Sequence, residues 1–262
     1  IAPLVPAKIN EKNLSIGSDL YKDIIGIKPK IALINEQAFS SSLIDIYLKE
    51  GYEAIIMEWN NPYRVHPEWE QDWSYYPQLV EDNQGNKIKV IWNQTIPFQK
   101  LQRYAHHEIE IDEYFDYINQ NIGNSVRNLC FYGSDAEIFD FRPSRYQTEI
   151  AVNTSSEWLR VGSLIEQISS NKDFNWISLS NILKSKDVSS CQILKLESAS
   201  QPIPVKKQSK YNILRWASTG RDDMGINTRC FKLYKYLYKN SDNSLWKELC
   251  YLWSSDFRTH IE

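Results

Sequence analysis

Apolar residues along this chain fall into short runs that stop abruptly at polar groups. Pro29 to Ile34 reads as a buried strand and ends in Asn35-Glu36. Tyr52 to Met57 is a second such run, ending in Glu58-Trp59-Asn60-Asn61-Pro62. A third, Leu129 to Tyr132, breaks at Gly133 and is followed by Asp135 and Glu137. Between the first two, Ser40-Ser41-Ser42 caps a helix from about Leu43 to Glu50, with Leu43, Ile44, Tyr47 and Leu48 on one face and Gly51 after its end. Strand, loop, helix, strand is the grammar of parallel βα units.

The pattern predicts further elements. A helix is expected within Asn10 to Gly26, a strand over Lys87 to Trp92, and a helix over Gln99 to Asn121. Asn153 to Ser170 reads as an amphipathic helix, and Trp176 to Leu179 as a strand leading into a short helix that ends at Leu183. From Tyr211 the spacing is helical, notably over Arg229 to Tyr238 and Leu245 to Trp253. Lys184 to Lys210 is rich in Ser, Pro and Lys and reads as a linker or surface excursion. Asp82-Asn83-Gln84-Gly85-Asn86 is a turn signal. The stretch Asn61 to Gln78 carries Tyr63, Trp69, Trp73, Tyr75 and Tyr76 among three prolines, an aromatic loop of the functional kind.

Composition narrows the function classes. At 42% apolar and 13% aromatic, the 262 residues can bury a sizeable core. A formal charge of −3 gives no basis for a nucleic-acid or anionic-membrane partner. No run approaches a membrane span and no signal peptide is visible. Cys130, Cys191, Cys230 and Cys250 show no paired spacing, so a reducing, cytoplasmic setting is expected, with Cys130 a buried thiol. His106 and His107 are adjacent on a predicted helix and project from different faces, a poor chelate; no metal or cofactor is expected. The nine Trp and sixteen Tyr suit stacking on sugar rings, although most such rings fill cores.

Two carboxylates at the ends of neighbouring parallel strands would face one cleft. Glycosidases use such a pair, about 5 Å apart in retaining enzymes and about 6.5–9.5 Å apart in inverting ones. The competing reading is that Asp135 or Glu137 caps the next helix. An apolar wall of Phe131, Ile138 and Phe139 would raise the pKa of a general acid by desolvation.

These residues resemble a known family. Leu33-Ile34-Asn35-Glu36-Gln37-Ala38-Phe39, with Leu43 seven positions after Glu36, is similar to the nucleophile region of family 57 glycoside hydrolases. Gly133-Ser134-Asp135-Ala136-Glu137-Ile138-Phe139 resembles that family's acid/base region, and 99 positions separate Glu36 from Asp135, which suits its spacing. Leu252-Trp253-Ser254-Ser255-Asp256-Phe257 resembles its carboxy-terminal Ser-Ser-Asp-aromatic segment. The resemblance implies an α/β fold, part of a (β/α)7 TIM-like barrel followed by a helical region. On this chain the division would be 1–187 for the barrel part, 188–209 for a linker and 210–262 for the helical region. It implies a retaining α-glycoside hydrolase or α-glucan transferase, with Glu36 as nucleophile and Asp135 as acid/base. Glu58, Trp59, Trp253 and Asp256 would bind the oligo- or polysaccharide, although Trp59 and Trp253 read equally well as core.

The family's His-x-His motif has no counterpart here, and the first residue is Ile rather than Met, so the first barrel strands are expected to be missing. A second hypothesis is therefore a non-catalytic carbohydrate-binding module or an inactive fragment. A deacetylase-like barrel with a metal site ranks last, because the four His are scattered.

Overall fold

The computed structural model describes residues 1–122, 125–133, 138–141, 155–184, 192–199, 201–205, 213–220, 222–240 and 244–254. It is a mixed α/β structure. The chain forms two compact units. One comprises residues 1–70, 78–91 and 191–262, the other 71–77 and 92–190.

The first helix, α1 (Ala7–Ile25), starts three residues earlier than its apolar spacing suggests, directly after Pro6. Gly26 ends it at φ 85°, and its N–H returns to Lys22 O at 2.9 Å. Gly supplies this left-handed closure without steric cost. Strand β1 (Ile31–Leu33) follows. A short turn at Ser41–Leu43 leads into α2 (Ile44–Lys49), closed by Gly51 at φ 86°. Strand β2 (Ala54–Glu58) lies parallel to β1, with Ile31 opposite Ala54 and Leu33 opposite Ile56. The helix between them is the crossover that a parallel pair requires. It buries Ile44, Ile46 and Tyr47, and desolvation pushes the Tyr47 hydroxyl up to about 12.

After one helical turn, α3 (Asn60–Tyr63), come β3 (Gln78–Glu81) and β4 (Lys87–Asn93). These two are antiparallel, joined by the turn at Asp82–Asn86. The side chain of Asp82 accepts from the backbone N–H of Gln84 and Asn86, and Gly85 takes φ 85°. The side-chain amide of Asn86, helped by those N–H groups, lowers the Asp82 pKa. A tight turn of this kind forces its strands antiparallel, unlike the parallel units expected elsewhere. Strand β5 (Ile193–Leu194) runs parallel to β3 within the stretch read as a linker, completing a five-stranded sheet of order β1-β2-β4-β3-β5.

The predicted helix over Gln99 to Asn121 is two helices, α4 (Thr95–Ala105) and α5 (Ile111–Ile122). The break lies at His107, with φ 63°. Helix α6 (Glu157–Ser170) packs with both over one core that includes Leu101, Tyr114, Ile118, Leu164 and Ile168. Leu101 and Leu164 are each 1% exposed, so truncating either would cost about 2–5 kcal/mol. The run Leu129 to Tyr132 forms only a parallel bridge, Cys130 to Asn93. Trp176 to Ser178 carries no strand and leads into α7 (Leu179–Ile182).

The last helices are α8 (Leu214–Ala217), α9 (Asp223–Asn240) and α10 (Trp246–Leu252). Cys230, Leu237, Trp246, Leu249 and Trp253 bury their side chains with Ile9 of α1 in one cluster. Among the described residues no helix is long and apolar enough to cross a membrane.

Candidate active site

Strands β1 and β2 point the same way, so their carboxyl ends lie at one end of the sheet. Glu58 is the last residue of β2, and Glu36 lies three residues beyond the end of β1, in the turn Asn35–Gln37. The two acids thus follow adjacent strands at the same edge, where catalytic groups collect in α/β folds.

The backbone there is unusual. Glu36 and Gln37 both take left-handed conformations, φ 52° and 57°. For residues with a Cβ each costs about 1 kcal/mol or more. The turn is held because Gln37 Oε1 accepts from the backbone N–H of Glu58 at 2.7 Å. Downstream, Phe39 donates its N–H to Pro204 O at 3.2 Å, and the Ser41 N–H donates to the Glu197 carboxylate. The loop carrying Glu36 is therefore tied to the end of β2 on one side and to residues 197–204 on the other.

Glu36 is half-buried and Glu58 is 6% exposed. The Asn60 side-chain amide donates to Glu58 Oε1 at 2.8 Å, orienting that carboxylate from two residues on. Trp59 is 1% exposed, stacked on Tyr63 with centroids 5.0 Å apart and tilted against Trp69 at 5.6 Å. Trp69 in turn stacks on His66 at 4.4 Å and 4°. The His66 ring nitrogens lie 3.0 Å from Glu68 Oε1 and 3.3 Å from Leu196 O. Trp59, Tyr63, His66 and Trp69 thus stack as one aromatic group directly after β2.

Trp253 is 4% exposed, in the cluster at the end of α10, and its Nε1 donates to Asn227 Oδ1 at 2.9 Å. Asn227 also donates to the Trp216 and Ala217 carbonyls, so Asn227 links α9 to α8 and Trp253 ties the end of α10 to it. Asp135 and Asp256 lie outside the described residues. What is seen of the third acidic stretch is its flanks. Gly133 is packed so closely on Asn93 that an added Cβ would lie 2.5 Å from its Nδ2, so a larger residue would force the Asn93 side chain to shift. Burial pushes the Cys130 thiol up to about 11, so it stays protonated at neutral pH.

Sequence reasoning missed Gln37 and Asn60. Both are uncharged amides beside the acids: Gln37 holds the Glu36 turn against the end of β2, and Asn60 orients the Glu58 carboxylate. Among the described residues no three His, Cys, Asp or Glu side chains cluster as metal ligands would.

No family model and no curated protein matches the sequence. Solved structures do match in fold. A 4-α-glucanotransferase from Thermococcus litoralis superposes with a TM-score of 0.57 over 95% of this chain, at 13% identity. An exo-type maltose-forming amylase from Pyrococcus sp. ST04 does so with a TM-score of 0.51 over 84% of this chain, at 14% identity. The chain spans about a third of the length of each, 34% and 37%. At these identities the likeness is one of fold.

Proposed function

We propose that this chain belongs to a carbohydrate-active enzyme of the family 57 type, a retaining α-glycoside hydrolase or α-glucan transferase. The observation that carries the reading is the pair of acids at the carboxyl ends of adjacent parallel strands, with Glu36 on a left-handed turn. The fold likeness to a glucanotransferase and an amylase supports it. The sheet would then be part of a barrel-type catalytic domain, with residues 210–262 as its helical region.

In this reading Glu36 attacks the anomeric carbon and forms a glycosyl-enzyme, while Asp135 protonates the departing glycosidic oxygen. Asp135 then takes a proton from water, or from a sugar hydroxyl in transfer, as the oxygen of that water or hydroxyl attacks the anomeric carbon from the vacated face and the bond to Glu36 breaks, freeing its carboxylate. Glu58, oriented by Asn60, would bind sugar hydroxyls near the reacting bond, with Asp256 as a further polar contact. Trp59 and Trp253, whose rings are nearly covered, would act as walls of the cleft and not as open stacking platforms.

The test is kinetic. Glu36→Ala is expected to abolish turnover of α-glucans, and azide to restore it by taking the place of the carboxylate. Asp135→Ala should slow poor leaving groups most, because an activated aryl leaving group needs little protonation. Near-full activity of Glu36→Ala on every α-glycoside would overturn the assignment. The second reading is a carbohydrate-binding module without catalysis. Sugar binding without turnover in the unaltered chain would select it.

A further inference from the structure

Helix α5 carries Phe115 and Asn119, one turn apart and so on one face. Helix α6 carries Ser163, Glu166, Gln167 and Ser170, again on one face, and Asn171 directly follows it. The core side of α6, through Val161, Leu164 and Ile168, is spent on the buried cluster. Between the two faces lies an open groove of about 810 Å³, lined by these seven residues. That volume is in the range of small-molecule sites, about 300–1,000 Å³.

The chemistry of the lining is selective. Three amides, Asn119, Gln167 and Asn171, stand beside a single carboxylate, Glu166, with no Lys or Arg among the lining residues. A phosphate or nucleic acid would require cations there. An apolar ligand would require more than one apolar side chain. The hydroxyls of Ser163 and Ser170 donate to the carbonyls of Leu159 and Glu166 at 3.1 and 2.9 Å, which leaves their oxygens as fixed acceptors. Phe115 supplies a ring, backed by Phe174 at 6.2 Å. Planar amides and a carboxylate match neighbouring hydroxyls, each of which both donates and accepts, and a ring covers the C–H face of a pyranose. A solvated helix face would more typically carry Lys and Glu than this run of amides and serines.

We propose that this groove is a carbohydrate-binding site for a segment of α-glucan chain, built from side chains other than the acids of the β1–β2 end. It rests on the α-glucan reading above for the identity of the sugar. Trp176, 52% exposed with its Nε1 held by Ser169 Oγ at 2.8 Å, neighbours the groove through α6 and serves as a reporter.

The experiment is a titration of the intact chain with maltoheptaose, followed by calorimetry and Trp fluorescence, alongside chromatography of products. Three proteins are compared with the unaltered one: Glu36→Gln, Phe115→Ala, and the double variant Asn119→Ala with Gln167→Ala. The double variant alters two exposed polar positions and is expected to melt as the parent does. Binding is expected to survive Glu36→Gln and to weaken about tenfold or more in both groove variants. Unchanged affinity in the double variant, or no binding by the unaltered chain, overturns the groove. Products formed from maltoheptaose alongside unchanged affinity would sink the groove and leave the catalytic reading standing. Groove-dependent binding without products would do the reverse.

Discussion

Glu36 and Asp140 are both acids held in left-handed backbone, φ 52° and 56°, one in each compact unit. The work of Asp140 is visible. Its carboxylate accepts from the N–H of Glu157 at 2.6 Å and of Trp158 at 3.4 Å, and from the Ser156 hydroxyl, at the start of α6. Glu157 reciprocates by accepting the Asp140 N–H at 2.7 Å. That is a capping box closed through tertiary structure, and it satisfies helix-end donors that would otherwise lack partners. Glu36 follows strand β1, and its turn is fixed by its neighbour Gln37, whose Oε1 accepts the N–H at the end of β2. The same backbone geometry serves a helix cap in one place; in the other, under the proposed function, it places a carboxylate. Asp tolerates the left-handed region better than Glu, so the strain is the more telling at Glu36.

Substitutions should separate the two. Glu157 is fully buried, with His106 Nε2 at 3.7 Å from Oε1, and its loss leaves the Asp140 N–H without that acceptor. Glu157→Ala is expected to destabilise the fold by about 3 kcal/mol, read from the urea midpoint of the α5–α6 signal. Replacing the two left-handed acids by Gly gives opposite signs. Asp140→Gly relieves strain yet loses the cap, for a net loss of about 1 kcal/mol. Glu36→Gly should gain about 1 kcal/mol while activity disappears. Destabilisation by Glu36→Gly equal to that of Asp140→Gly would erase the distinction.

Much of the β1–β2 end was legible in the sequence. Apolar runs that stop at Glu36 and Glu58 were visible, and Gly26 and Gly51 marked the helix ends that set the crossover. Other features were not. Strand β3 hides because Gln78, fully buried, occupies a core position and answers its own polarity by accepting the Gln192 N–H at 2.5 Å. Strand β5 is two residues long, too short to carry a period. The break between α4 and α5 rests on a left-handed His107, and nothing in helical spacing announces that. The cap of α6 is built by Asp140, 17 positions before its partner Glu157, beyond the reach of a local motif. Trp253 carries a motif resemblance and a core position together, and the sequence alone could not weigh them.

The most direct test of the central claim is chemical trapping of the nucleophile. A fluorinated α-glucosyl fluoride, which forms the glycosyl-enzyme and releases it slowly, would be incubated with the unaltered protein, and the digest examined by mass spectrometry. One fluoroglucosyl adduct is expected, on the carboxylate of Glu36, absent from Glu36→Gln. An adduct on Glu58 instead, or steady turnover of the reagent with no carboxylate labelled, would contradict it.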